Sequence, residues 1–131
     1  MRIAFDTHVL LYWVSAPGRL TAAQQHAVRT ISSENPAIVA DISGWEIAML
    51  VAAGKVQLSV PLRDWLTRAL APPLVRLAEI TPNIAAATTD LHEWQNRDPA
   101  DRLIVSTAHV YGAALLTNDA QIRESGFVDV V

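Results

Sequence analysis

Asn96-Arg97-Asp98-Pro99-Ala100-Asp101-Arg102-Leu103-Ile104-Val105-Ser106-Thr107-Ala108 carries the clearest local signals in the chain. Asp98-Pro99 reads as a helix start. An Asp side chain caps free backbone N–H groups, and Pro at the first helical position forfeits no hydrogen bond. Asp101 then falls in the first turn, with Ile104, Val105 and Ala108 three, four and seven residues on. That spacing sets a carboxylate at the head of an apolar stripe. An ionised group there must be satisfied by something. The helix dipole contributes only about 0.3–1 kcal/mol. Either Asp101 is a second N-terminal cap, or it belongs to a cluster completed by carboxylates from elsewhere in the chain.

Outward from this stretch, short apolar runs alternate with helical patterns. Arg2 to Asp6, Ala37 to Ala40, Leu74 to Ile80, Ala113 to Thr117 and Phe127 to Val131 read as five strands. Continuous apolar character marks strands buried on both faces, as in a parallel sheet. Between them come helices over Thr7 to Ser15, from Thr21 to Ile31, from Ser43 to Gly54, from Pro61 to Leu70, from Thr81 to Trp94 and from Asp98 to Gly112. Ser43 and Glu46 have capping-box spacing, and Gly54 reads as a helix stop. Ala23, Ala27, Val28 and Ile31 form the expected inner face of the second helix, and Trp13, Trp45, Trp65 and Trp94 are expected in the core. The alternation predicts an α/β sandwich with a mainly parallel five-stranded sheet. No linker or repeat divides the 131 residues, so one domain over 1–131 is expected.

Composition narrows the chemistry. The chain is 51% hydrophobic, carries a net charge of −3 and has no cysteine. Disulfides and thiolate metal sites are excluded, so any metal needs oxygen or imidazole ligands. Asp6 comes too early for a signal peptide, and no apolar run reaches the roughly 20 residues of a membrane span. A cytoplasmic location without membrane contact is expected. An acidic chain lacks the basic field of a typical nucleic-acid binder, so any such contact must rest on local arginines.

In a parallel sheet, strand C-termini and the following helix N-termini share one edge, and ligands bind there. Asp6 and Asp119 sit at strand ends; Glu46 and Asp101 sit in expected first turns. All four are therefore expected to reach one patch. Each also has a local reading, as a turn acid, a reciprocal cap or a loop acid. Together they need neutralising: two carboxylates ~4 Å apart repel by roughly 4 kcal/mol at an effective dielectric of about 20. Oxygen ligands without thiolate suit Mg²⁺ or Mn²⁺. Asp98 stands beside the patch. Thr7, Ser43, Thr117 and Asn118 are polar neighbours able to bond metal-bound water, or to serve as local caps. Arg97 and Arg102 flank the acids as candidate phosphate contacts, although Arg102 could equally pair with a carboxylate. The four histidines show no ligand spacing. A phospho-accepting receiver would need an acidic third-strand end and a late-strand lysine. Here that strand ends in Ile80-Thr81, and the only lysine is Lys55.

These pieces resemble the PIN-domain family, specifically the VapC-type toxin ribonucleases. The matching segments are Phe5-Asp6-Thr7-His8-Val9-Leu10-Leu11, Ile42-Ser43-Gly44-Trp45-Glu46-Ile47-Ala48 with Gly54-Lys55, Arg97-Asp98-Pro99-Ala100-Asp101-Arg102-Leu103-Ile104, and Leu116-Thr117-Asn118-Asp119. The resemblance implies a three-layer α/β/α sandwich and Mg²⁺- or Mn²⁺-dependent hydrolysis of RNA phosphodiester bonds. Asp6, Glu46, Asp101 and Asp119 are its catalytic acids, Asp98 is auxiliary, and Asp6, Asp101 and Asp119 are the metal ligands. It also implies a homodimer and a VapB-type antitoxin whose tail covers the acidic pocket. The alternative is an inactive PIN module that only grips an antitoxin segment. Asn96 stands where related sequences often have His, and Gly44 where a larger apolar residue is usual.

Overall fold

The computed structural model describes residues 1–131. Its elements in order are β1 (Ile3–Phe5), α1 (Thr7–Ser15), a 3₁₀ turn (Pro17–Arg19), α2 (Ala22–Val28), β2 (Ala37–Ala40), α3 (Asp41–Ala52), α4 (Leu62–Ala69), β3 (Val75–Ala78), α5 (Pro82–Ala87), a second 3₁₀ turn (Thr88–Leu91), α6 (Pro99–Val110), β4 (Ala114–Leu116) and α7 (Ala120–Ser125). The strands pair in the order β3-β2-β1-β4, every pair parallel.

Strand alternation divides the core into two. Ile3, Phe5, Ala37, Val39 and Leu116 pack with α1, α2, α3 and α4 on one face. Ala4, Ile38, Ala40 and Leu115 pack with α6 and α7 and with Leu91 and Trp94 on the other. Helices therefore cover both faces, giving the expected three layers. β1 and β2 are wholly buried, whereas the edge strand β3 exposes Arg76 and Leu77.

Three expectations are corrected. The sheet has four strands, not five. Phe127 to Val131 contributes one isolated parallel bridge, Val130 to Leu115. α7 runs to Ser125 and Gly126 ends it at φ +74°; the tail then bonds β4 through Leu115 N–H to Asp129 O (2.8 Å), Val131 N–H to Leu115 O (2.9 Å) and Thr117 N–H to Val131 O (3.2 Å), a pairing confined to one bridge. The Ser43/Glu46 capping box is absent. β2 runs directly into α3, which starts at Asp41 with Ala40 as its N-cap, so Glu46 lies in the second turn. Trp45 is 58% exposed, while Trp65 and Trp94 are buried as expected.

The order 3-2-1-4 reverses at β1, so the chain leaves β1 and β4 in opposite lateral directions. A crevice opens between their C-terminal ends. Asp6 directly follows β1, and Asp119 lies three residues beyond β4.

Candidate active site

One hollow of about 390 Å³ occupies that crevice, lined by Asp6, Thr7, His8, Tyr12, Glu46, Asp98, Asp101, Asn118 and Asp119. The four acids expected to converge are all present, each placed by a different element.

Asp6 is the N-cap of α1. Its Oδ1 accepts from the Thr7 backbone N–H (2.8 Å) and its Oδ2 from the Thr117 hydroxyl (2.6 Å). Thr117 also accepts from the Asp119 N–H (3.0 Å), so one hydroxyl couples two acids across the β1–β4 crevice. Asp119 is the N-cap of α7, its Oδ1 accepting from the Ile122 N–H (3.1 Å). The Thr7 hydroxyl lies 3.0 Å from Ser43 Oγ and also bonds Glu46 Oε1. With a single proton, Thr7 donates to the carboxylate and Ser43 supplies the other donor. Freed from capping, Glu46 is thus held by α1.

The α6 acids are held by the loop before them. Asp98 caps α6 through the Asp101 N–H (3.1 Å). Asn96 ties both: its Nδ2 donates to Asp101 Oδ2 (2.9 Å), and its Oδ1 accepts from the Asp98 N–H (2.9 Å). The position that departs from the usual His therefore carries a side chain that still grips the acid.

Arg102 is corrected. Its guanidinium donates from Nε to Asn96 O (2.9 Å), from Nη1 to Leu91 O (3.1 Å) and from Nη2 to Leu91 O and Trp94 O (both 3.1 Å). Every one of these donors goes to a backbone carbonyl of the segment before α6. It is a strut for that segment and is paired with no carboxylate. Arg97 remains exposed beside the acids.

Two contributors escaped the sequence reading. Gln24 is fully buried on α2 beside Ala27 of the expected inner face, whereas Ala23 of that face is exposed. Its Oε1 completes a capping box with Thr21, and its Nε2 donates to Asn118 Oδ1 (2.9 Å) and Val131 O (3.2 Å). Gln at the third position after Thr21 was the available signal. Tyr12 lines the hollow one turn beyond His8; only helical spacing pointed to it.

Asp6, Glu46 and Asp101 resist ionising. Burial raises the Asp6 pKa, outweighing its bonds from Thr117 and Thr7, and the Asp119 charge adds to the rise. Burial also raises Glu46, against the Thr7 bond, with Asp6 and Asp98 adding repulsion. Asp101 is pushed up to about 6 by burial, with Asp98, Asp6 and Asp119 contributing and the Asn96 bond opposing. No three of these side chains converge at metal-ligand spacing. Each acid is held instead by its own hydrogen bonds. The donor set itself fits a hard divalent ion: partly desolvated carboxylate oxygens from separate elements, with no thiol.

Comparisons with known proteins agree with this geometry. A family model described as PIN domain matches residues 3–128. Ribonuclease VapC22 of Mycobacterium tuberculosis is 38% identical over 121 residues, covering 92% of this chain and 89% of that protein. VapBC2 from Rickettsia felis, solved bound to a DNA fragment from their promoter, superposes with a TM-score of 0.71 at 13% identity, covering 100% of this chain and 98% of that one. A toxin-antitoxin complex from Klebsiella pneumoniae gives 0.65 at 17% identity, covering 98% and 95%.

Proposed function

We propose that this chain, which belongs to the PIN-domain family, is a metal-dependent endoribonuclease and the toxin of a VapBC-type toxin–antitoxin pair. The observation that carries the reading is the gathering of Asp6, Glu46, Asp101 and Asp119 in one hollow at the sheet's C-terminal edge. The ribonuclease name of the 38% identical relative supports RNA as the substrate. The toxin-antitoxin neighbour supports an antitoxin as the partner. On the same family grounds the toxin works as a homodimer in the cytoplasm, as one PIN domain over 1–131. No helix is long and apolar enough to cross a membrane.

Asp6, Asp101 and Asp119 would hold Mg²⁺ or Mn²⁺, directly or through water. When bound, such an ion makes water a better nucleophile at neutral pH and offsets charge on the phosphate oxygens. Glu46, its pKa raised by burial, is placed to take the proton of the attacking water. Thr7 and Ser43 orient Glu46, and Thr117 keeps Asp6 and Asp119 in register. Asn118 lines the same wall under the grip of Gln24. Asp98 serves at the mouth, and Arg97 offers an exposed guanidinium to a phosphate.

The test is cleavage of a structured RNA by the purified chain with Mg²⁺, Mn²⁺ or chelator. Cutting should need the metal. Asp6→Asn and Asp101→Asn should each lose more than about a hundredfold, beyond the 10–100-fold typical of outer partners. Parent-level cutting by both variants would overturn the reading. Metal and antitoxin binding without any cutting would leave the inactive binding module.

A further inference from the structure

A second hollow, of about 370 Å³, adjoins the acidic one, and the two meet at His8 and Tyr12. It follows the outer side of α1 from His8 to Ser15, about 10 Å at the helical rise. Arg19 and Lys55 also line it.

Local structure places both cations. Pro17 opens the 3₁₀ turn that ends at Arg19, and Arg19 N–H bonds Ala16 O (2.9 Å). The Arg19 guanidinium lies over the Tyr12 ring, 4.7 Å from its centre. Stacking orders an arginine without consuming its five N–H donors. Lys55 follows the stop of α3. Lys55 N–H bonds Leu50 O (2.9 Å) and Gly54 N–H bonds Val51 O (3.0 Å), with Gly54 at φ +72°. This is the Schellman pair, which needs a residue tolerant of the left-handed region. The chain's only lysine is thereby set on the groove wall. Neither cation has a carboxylate partner: the molecule's one close ion pair is His92–Glu93. Arg2, Arg102 and Arg123, by contrast, donate to backbone carbonyls.

We propose that this groove is the track along which single-stranded RNA enters the acidic hollow, with Arg19 and Lys55 each binding a backbone phosphate. The inference rests on the nuclease reading above. A polyanion approaching a hollow of carboxylates needs cations at its margin, and single-strand binders combine such cations with aromatic faces. Here Tyr12 supplies the aromatic face, and Leu11 and Val56 an apolar floor for sugar and base. An acidic protein segment fits less well, because it would bring carboxylates towards carboxylates.

The test compares the parent with the Arg19→Ala/Lys55→Ala double variant. A labelled RNA decamer is followed by cleavage kinetics across a salt series, and a phosphorothioate decamer by anisotropy with Mn²⁺ present. Expected are a rise of about tenfold in KM and Kd, with the loss on KM rather than kcat. The slope of log Kd against log salt should fall by about 1.4, at 0.7 per phosphate contact. The Mn²⁺ affinity measured by calorimetry should stay at the parent value. The swap Arg19→Lys/Lys55→Arg should keep RNA affinity near the parent's. Unchanged KM, Kd and salt slope in the double variant would overturn the proposal. So would a variant that binds RNA normally but loses a poly-glutamate peptide which the parent holds. A parent that binds RNA without cutting it would defeat the nuclease reading while anisotropy still decides the groove.

Discussion

Asn96 illustrates how much one side chain settles. Its side-chain Nδ2 donates to Asp101 and its Oδ1 accepts from the Asp98 N–H, while its backbone carbonyl separately accepts from Arg102. Partners of this kind fix the orientation of a carboxylate ligand, and their loss typically costs 10–100-fold in metal affinity. Asn96→Ala should weaken Mn²⁺ binding by about tenfold in calorimetry. An unchanged Mn²⁺ affinity would reduce Asn96 to loop structure. The same pairings correct two readings. Glu46 is bonded by Thr7 instead of capping its own helix, and Arg102 faces inward because the carbonyls of the preceding turn take its donors.

Among the elements, α3 bears on both functions of the surface. It presents Glu46 to the acidic hollow, and its glycine stop presents Lys55 to the groove. Gly44 lies within its first turns. A Cβ there would meet only Leu70 Cδ1, at an ordinary 3.5 Å. Glycine inside a helix costs about 0.8–1 kcal/mol relative to alanine. Gly44→Ala should therefore stabilise the chain by about that amount in urea melts, with cleavage retained. A loss of stability would mean that the helix cannot accept a methyl group against α4.

For the whole molecule the consequence is a site at odds with its own charge. Asp101 titrates at about 6 in the fold, against an ordinary 3.8. Between those values the native state holds more protons than the unfolded chain, so stability falls as pH rises. The metal-free protein should be at its firmest, with respect to this group, below about pH 4, and should lose melting temperature through pH 6. Asp101→Asn should flatten that decline, and Mn²⁺ should oppose it by favouring the ionised native form. A metal-free chain whose melting temperature rises from pH 4 to 6, with the same slope in Asp101→Asn, would contradict this account.

The alternation of apolar runs with helical periods determined the parallel α/β layering, because strand and helix periods are local and parallel strands need covered faces. Once the layering was set, strand ends and helix starts had to share an edge, which brought Asp6, Asp101 and Asp119 to it from their positions, whereas Glu46 lies a turn deeper in α3 than its expected place and meets them through Thr7. What grips those acids was decided only by tertiary structure. Thr117 reaches Asp6 across 111 residues, Thr7 reaches Glu46 across 39, and Gln24 reaches Asn118 across 94. Such pairings depend on which elements become neighbours and which carbonyls are left over, and no local period encodes either. The fifth strand is reduced for the same reason: Val130 meets Leu115 in one bridge beside β4, and how far such a pairing extends is set by the neighbours that tertiary structure supplies.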